Sequence, residues 1–163
     1  MLFRSVWKLP VLFLCENNQY GVSTHVRRST NVEDLSLRAA AYGIPGRKVD
    51  GMDVLAVYEA VREAAAYVRK KGPLLLVAQT YRFLGHSRSD AGVYRSEAEI
   101  ASWRLKDPIP RFRERLIEEG SFSEDRISDI EEEVRREVDA AFSLARACED
   151  PGMEDLLKDV YAD

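Results

Sequence analysis

Val11-Leu12-Phe13-Leu14-Cys15, running on into Glu16-Asn17-Asn18-Gln19-Tyr20-Gly21, is the stretch whose reading decides the fold. Five apolar residues meet an abrupt polar turn that closes on a glycine. A short continuous apolar run bounded by turn residues reads as a strand buried on both faces, as in parallel sheets. Such sheets gather ligands at the carboxyl ends of their strands, where Glu16, Asn17 and Asn18 stand. Asparagine oxygens and backbone carbonyls are hard, neutral donors that suit magnesium. The same residues also read as a plain Asx turn leaving a strand.

Working outward, the chain alternates. Met1 to Leu9 reads as the frayed end of a helix, with Pro10 marking the approach to the strand. A polar loop is expected from Gln19 to Thr30, then a helix N-capped by Asn31 and stopped at Gly43. Gly46 to Asp50 fits a short strand. Asp53 caps a longer amphipathic helix in which Val54, Val57, Val61, Ala64, Ala65 and Val68 recur at helical spacing. Arg69, Lys70 and Lys71 suit its carboxyl end, and Gly72-Pro73 ends it. Leu74 to Tyr81 is the second strongly apolar strand. This alternation predicts an α/β fold, a parallel sheet flanked by helices.

After Tyr81 the character changes. Arg82 to Arg95 has no periodicity, is dense in hydrogen-bonding groups, and leaves the same sheet edge as Asn18. From Ser96 the chain is helical again, giving two regions, residues 1–95 and a helical carboxyl-terminal region, residues 96–163. Ser96 and Glu99 form a capping-box pattern. Asp107-Pro108 opens a helix to about Glu119 and Ser123 opens a long one, with Ile127, Ile130, Val134, Val138, Ala141 and Phe142 as its apolar stripe. Asp150-Pro151-Gly152 breaks that helix, and Leu156, Leu157, Val160 and Tyr161 are expected to dock as a short tail.

The 163 residues suffice for one domain with a real core. A net charge of −4 gives no reason to expect a nucleic acid or an anionic membrane as partner. Cys15 and Cys148 lie far apart in no metal-like spacing; Cys15 reads as a small buried hydrophobe, and a reducing cytoplasm fits. The apolar run after Arg4 and Lys8 is too short for a signal peptide, and no segment approaches the roughly 18 apolar residues that span a bilayer.

Glycine-rich dinucleotide, P-loop, nucleophile-elbow and zinc-protease motifs are all missing. What carries chemistry is a pair of loops at one sheet edge. In the second, Arg82 offers a guanidinium for an anionic oxygen and His86 a group for proton transfer or phosphate contact. Ser87, Ser89 and Asp90 are loop-ordering partners. A lone loop histidine is usually structural; His86 stands apart because it lies between Gly85 and Ser87, where backbone can approach a ligand. His25, beside Arg27 and Arg28, receives no role.

Trp7-Lys8-Leu9-Pro10 through Gly21, Val49-Asp50-Gly51-Met52-Asp53, Thr80-Tyr81-Arg82, Gly85-His86-Ser87-Arg88-Ser89-Asp90 and Asp107-Pro108-Ile109 occur in this order. Together they resemble the alpha subunits of thiamine diphosphate-dependent 2-oxo acid dehydrogenases, of the pyruvate and acetoin dehydrogenase type, over nearly the whole chain. The resemblance implies part of a thiamine diphosphate-binding fold. It implies thiamine diphosphate and magnesium as cofactors, with the Asn18 side chain and the Tyr20 carbonyl as metal ligands. Arg82 and His86 would face the diphosphate, and His86 would be the catalytic residue. Ser87, at a position phosphorylated in mitochondrial relatives, together with Asp90, Tyr94 and Arg95, would belong to a loop that orders when cofactor binds and helps receive the lipoyl arm. Implied partners are a beta subunit, which carries the base that activates the cofactor, a lipoyl-bearing acyltransferase core, and a small 2-oxo acid or acetoin.

The chain departs from the family pattern in one respect. A Gly-Asp-Gly expected upstream of Asn18, whose aspartate is the charged magnesium ligand, would fall before residue 1. The chain therefore reads as the carboxyl-terminal half of such a subunit, inactive by itself. The readings in play are a partial alpha subunit, a truncated non-catalytic remnant keeping the fold and a subunit surface, and an unrelated flavodoxin-like module.

Overall fold

The computed structural model describes residues 2–158, and of Leu2 the backbone alone. Val160 and Tyr161 lie outside the described residues. The chain forms two compact units, Met1–Glu114 and Arg115–Asp163. The division at residue 95 marks a change in sequence character and lies inside the first unit.

In the first unit, helix α1 spans Leu2–Val6 and is followed by strand β1, Leu12–Asn17. The expected polar loop then folds into a hairpin of β2, Tyr20–Gly21, and β3, Thr24–His25, with Tyr20 opposite His25. A single turn, α2, covers Val26–Ser29. The anticipated helix after Asn31 is a 3-10 helix over Leu35–Tyr42, and its N-cap is Asp34, whose carboxylate accepts from the Ser36 amide and hydroxyl. Asp34 wins over Asn31 because its side chain reaches both donors at once. Gly43 ends this helix in the left-handed region, as expected.

Strand β4 spans Gly46–Asp50 and helix α3 spans Val54–Lys71, N-capped by Asp53 through the amides of Leu55 and Ala56. Strand β5 is Leu74–Gln79. The sheet is parallel with order β1-β5-β4, and Leu12 pairs with Leu74 while Gly46 pairs with Leu75. Here the reading of the opening stretch needs correction. β1 is an edge strand with Leu14 52% exposed, and the strand buried on both faces is β5, where Leu74, Leu76 and Val77 are fully buried. Apolar composition says that a strand touches a core; it does not say which strand receives neighbours on both sides.

The two faces of β5 divide by the period of two. Leu74, Leu76 and Ala78 pack with Val49, Ala64 and Val68 on the α3 side. Leu75 and Val77 pack with Ala39 and Ile44 on the side of the 3-10 helix, with Phe13 and half-buried Cys15 alongside. Gly46 is required here: an added Cβ would lie 2.0 Å from the Ser36 carbonyl oxygen.

Helix α4, Glu97–Arg104, and the start of α5, Pro108–Glu118, complete the first unit. In the second unit, α6 spans Glu124–Ala147 with Ser123 capping the Arg126 amide. Ile127 is its buried residue, whereas Val134, Val138 and Phe142 are more than half exposed. The apolar stripe is thus covered at Ile127, half-covered at Ile130 and open from Val134 onward. Leu156 and Leu157, in a 3-10 turn over Met153–Leu157, are also exposed, so the described part of the expected tail does not dock. Among the described residues no helix is long and apolar enough to cross a membrane.

Candidate functional site

Both polar segments singled out in the sequence leave the carboxyl ends of adjacent strands, because β1 and β5 are paired in register from Leu12–Leu74 to Asn17–Gln79. The pairing continues past the strands: Thr80 N–H donates to the Asn17 carbonyl at 3.0 Å, and Arg82 N–H to the Asn18 carbonyl at 3.3 Å. The two loops are therefore zipped together at their roots.

The turn after β1 is shaped by amides. Asn18 Oδ1 accepts from the Tyr20 amide at 3.2 Å. Gln19 adopts φ of 72°, and its side chain donates to the Asn17 carbonyl, to Gln79 Oε1 and to the Thr80 carbonyl. At the hairpin tip Val22 has φ of 55°, a strained conformation for a β-branched residue. Its carbonyl accepts from the Arg82 guanidinium at 2.7 Å.

Arg82 is the hub of the second loop. Nε donates to the Leu84 carbonyl and Nη2 to the Val22 carbonyl and the Tyr94 hydroxyl. Tyr94 donates onward to Asp90 Oδ2 at 2.7 Å, and the same oxygen accepts from the His86 amide at 2.7 Å. Asp90 Oδ1 accepts from Gly92 N–H at 2.8 Å. These donors, led by the His86 amide, lower the Asp90 pKa to about 2. The His86 side chain is exposed, and Ser87 meets Ser89 at 3.2 Å.

Beneath the loop lies an aromatic cluster. Arg95 is buried, donates to the Arg82 carbonyl, and stands 5.4 to 5.8 Å from the ring centroids of Tyr20, Tyr81 and Tyr94. Its Nε is buried without a hydrogen-bond partner among the described residues. The Ser96–Glu99 capping box forms only in half. Ser96 Oγ accepts from the Glu99 amide, but the Glu99 carboxylate turns inward to the Tyr20 and Tyr81 hydroxyls. Burial first, then the Glu99 carboxylate, pushes the Tyr20 phenol up to about 12 and raises Tyr81 as well. Glu99, Tyr81 and Gln19 received no site role from the sequence, Glu99 being read as half of a capping box. The signal was present in Glu99, but its position at the start of a helix matched a cap equally well.

The structure thus brings Asn18, Tyr20, Arg82, Asp90, Tyr94 and Arg95 into one connected network, with His86 joined to it through its backbone. Asn18 Oδ1 keeps one lone pair for a hard cation, and the Arg82 Nη1 donors remain for an anionic oxygen. No group of three or more His, Cys, Asp or Glu among the described residues is placed to hold an ion.

Comparison with known proteins gives a consistent family. The model of the dehydrogenase E1 component family matches residues 1–154. The chain is 45% identical over 161 residues to the alpha subunit of the Homo sapiens pyruvate dehydrogenase E1 component, somatic form, mitochondrial, covering 97% of this chain and 41% of that protein. The counterpart from Sus scrofa is 45% identical over 160 residues, covering 96% and 41%. The pyruvate dehydrogenase E1 component subunit alpha of Rhizobium meliloti (strain 1021) is 42% identical over 158 residues, covering 96% and 45%. The chain therefore spans less than half the length of these relatives. With the match running through both polar loops and the strands that bear them, this chain belongs to the dehydrogenase E1 component family.

Proposed function

We propose that this chain forms one wall of a magnesium–thiamine diphosphate site in the alpha subunit of a 2-oxo acid dehydrogenase. The observation that carries the proposal is the Arg82 amide on the Asn18 carbonyl, with the Arg82–Tyr94–Asp90–His86 path beyond it. It brings the neutral-oxygen turn and the basic loop to one sheet edge. Asn18 and the Tyr20 carbonyl would hold the metal, and Arg82 and His86 would bind phosphate oxygens. When bound, the thiazolium ring supplies the nucleophilic carbon and the electron sink of the decarboxylation. The residues of this chain bind and orient; His86 holds or moves a proton at the loop surface, and Ser87, Asp90, Tyr94 and Arg95 keep that loop in place.

The proposed substrate is a 2-oxo acid such as pyruvate, or acetoin, with the acyl group passed to a lipoyl carrier. The proposed partners are a beta subunit and a lipoyl-bearing acyltransferase core, in the cytoplasm. Because no group of three or more His, Cys, Asp or Glu among the described residues is placed to hold an ion, the chain alone is expected to bind magnesium–thiamine diphosphate weakly. Titration calorimetry giving micromolar affinity for the isolated chain would contradict that expectation. Co-expression with a beta-type E1 subunit, assayed on pyruvate, branched-chain 2-oxo acids and acetoin, tests the function itself. Lack of cofactor binding and turnover in every such pairing would favour the second reading, a non-catalytic remnant. What supports that reading is the occupation of Arg82 Nε and Nη2 by protein acceptors.

A further inference from the structure

Glu99 stands outside both loops, yet the loops converge on it. Its Oε1 accepts from the Tyr20 hydroxyl at 2.8 Å and from the Tyr81 hydroxyl at 3.0 Å, and Oε2 lies 3.0 Å from the same Tyr20 hydroxyl. Tyr20 is two residues beyond Asn18. Tyr81 immediately precedes Arg82, the entry of the polar loop. Ser96, which caps the helix carrying Glu99, immediately follows Arg95, its exit.

We propose that Glu99 is the positioning residue of this site: its one carboxylate pins the Asn18–Tyr20 turn and both ends of the His86 loop to a common point. For what the clamp positions, this rests on the cofactor-site reading above; the clamp itself rests on the geometry.

Tyr20 and Tyr81 are 8% and 6% exposed, so each hydroxyl needs a protein acceptor, and Glu99 supplies one for each. A hydrogen bond to an ionised acceptor is shorter and stronger than one between neutral groups, the more so where water is excluded. Pinning the two ends of a loop also removes the entropy that would otherwise let it open. The surroundings reinforce the fit. Arg95 keeps a cation against the faces of both tyrosines, and Tyr81 is stacked on Trp103 of the same helix, 5.1 Å apart and 7° from parallel. Donors and acceptor are thus held in place from both sides.

The test uses the full 163-residue chain, alone and co-expressed with a beta-type E1 subunit, as wild type, Glu99→Gln and Tyr81→Phe. Trypsin reads the loop through cleavage after Arg88, an exposed residue midway along it. Hydrogen exchange reads the Arg82 and His86 amides, and circular dichroism reads the fold. In Glu99→Gln, cleavage after Arg88 is expected to accelerate roughly ten- to hundredfold, the range for losing hydrogen bonds to a charged group. Both amides should lose protection while the helical signal stays unchanged. Tyr81→Phe, which removes one donor to Glu99 together with the hydroxyl's bond to Arg95 and keeps the ring, should give a smaller rise of the same kind and decides the matter if Glu99→Gln does not fold. In the complex, KM for thiamine diphosphate should rise with kcat at saturation retained. Unchanged cleavage and unchanged protection in both variants would overturn the proposal. Released loops in the variants, together with a wild-type complex that binds no thiamine diphosphate, would leave the clamp standing and remove the cofactor reading instead.

Discussion

Asp90 and His86 show how single residues divide the work of the loop. The two oxygens of Asp90 accept from the His86 amide, the Gly92 amide and the Tyr94 hydroxyl, which holds the backbone around His86 in one shape. Because its folded pKa is lowered to about 2 from 3.8, the support is fully present above the unfolded value and lost as pH falls through the folded one. Hydrogen exchange at His86 and Gly92 should therefore stay slow at pH 5 and become progressively less protected between about pH 4 and pH 2, after correction for intrinsic rates. Asp90→Asn should show the loosened loop already at neutral pH. His86 is the opposite case: its side chain is exposed, so His86→Ala should leave the melting temperature nearly unchanged. In a complex with a beta-type subunit it should lower lipoyl-linked turnover by roughly a hundredfold or more, the scale of a positioned acid or base. Unchanged turnover would remove His86 from the site. Both residues stand out in the sequence as polar groups of an aperiodic loop, and His86 also follows Gly85 directly.

At the scale of elements, the two apolar strands look alike in sequence and differ in the sheet. β5 has neighbours on both sides and a helical layer on each face, whereas β1 has β5 on one side only. Leu76→Ala, at a fully buried site, should cost about 2–5 kcal/mol in a denaturation experiment. Leu14→Ala, at the position paired with Leu76 but half exposed, should cost about 1 kcal/mol or less by the area it buries. Equal costs would mean that β1 is covered as β5 is. Gly46→Ala would drive a methyl group into the Ser36 carbonyl and should cost about 1–3 kcal/mol, as overpacking does. Helix α4 teaches a related lesson. Ser96 caps it as the sequence suggested, but Glu99 leaves the cap for two tyrosines, because satisfying two buried hydroxyls outweighs one exposed backbone amide.

For the molecule as a whole, the first unit has a complete two-layer cover over β5 and an uncovered edge at β1. Phe3, Val6, Trp7 and Leu14 add exposed apolar surface near the start of this unit. Open strand edges and apolar patches promote association. Sedimentation should show the average mass rising with protein concentration, and Leu14→Lys, which places a charge on that edge strand, should reduce the rise. In the second unit the stripe of Val134, Val138 and Phe142 on the 24-residue α6 is more than half exposed. The helix was legible from period and caps; its coverage was not, since amphipathicity records a need for a partner and not the partner's presence.

Periodicity, caps and turn residues, all interactions within a few positions along the chain, by themselves determined that this protein is a parallel α/β unit with helices beyond it. They also placed Asn18 at the end of one strand and His86 in the loop that follows another, and the ordered set of motifs pointed to the E1 family. Tertiary structure alone decided that β5 and not β1 is the central strand, that Arg82 ties the hairpin to the loop, and that Glu99 gathers Tyr20 and Tyr81. Those outcomes depend on which distant segments meet across the sheet, and a hydrogen bond spanning 79 positions, such as that from Tyr20 to Glu99, leaves no local pattern to read.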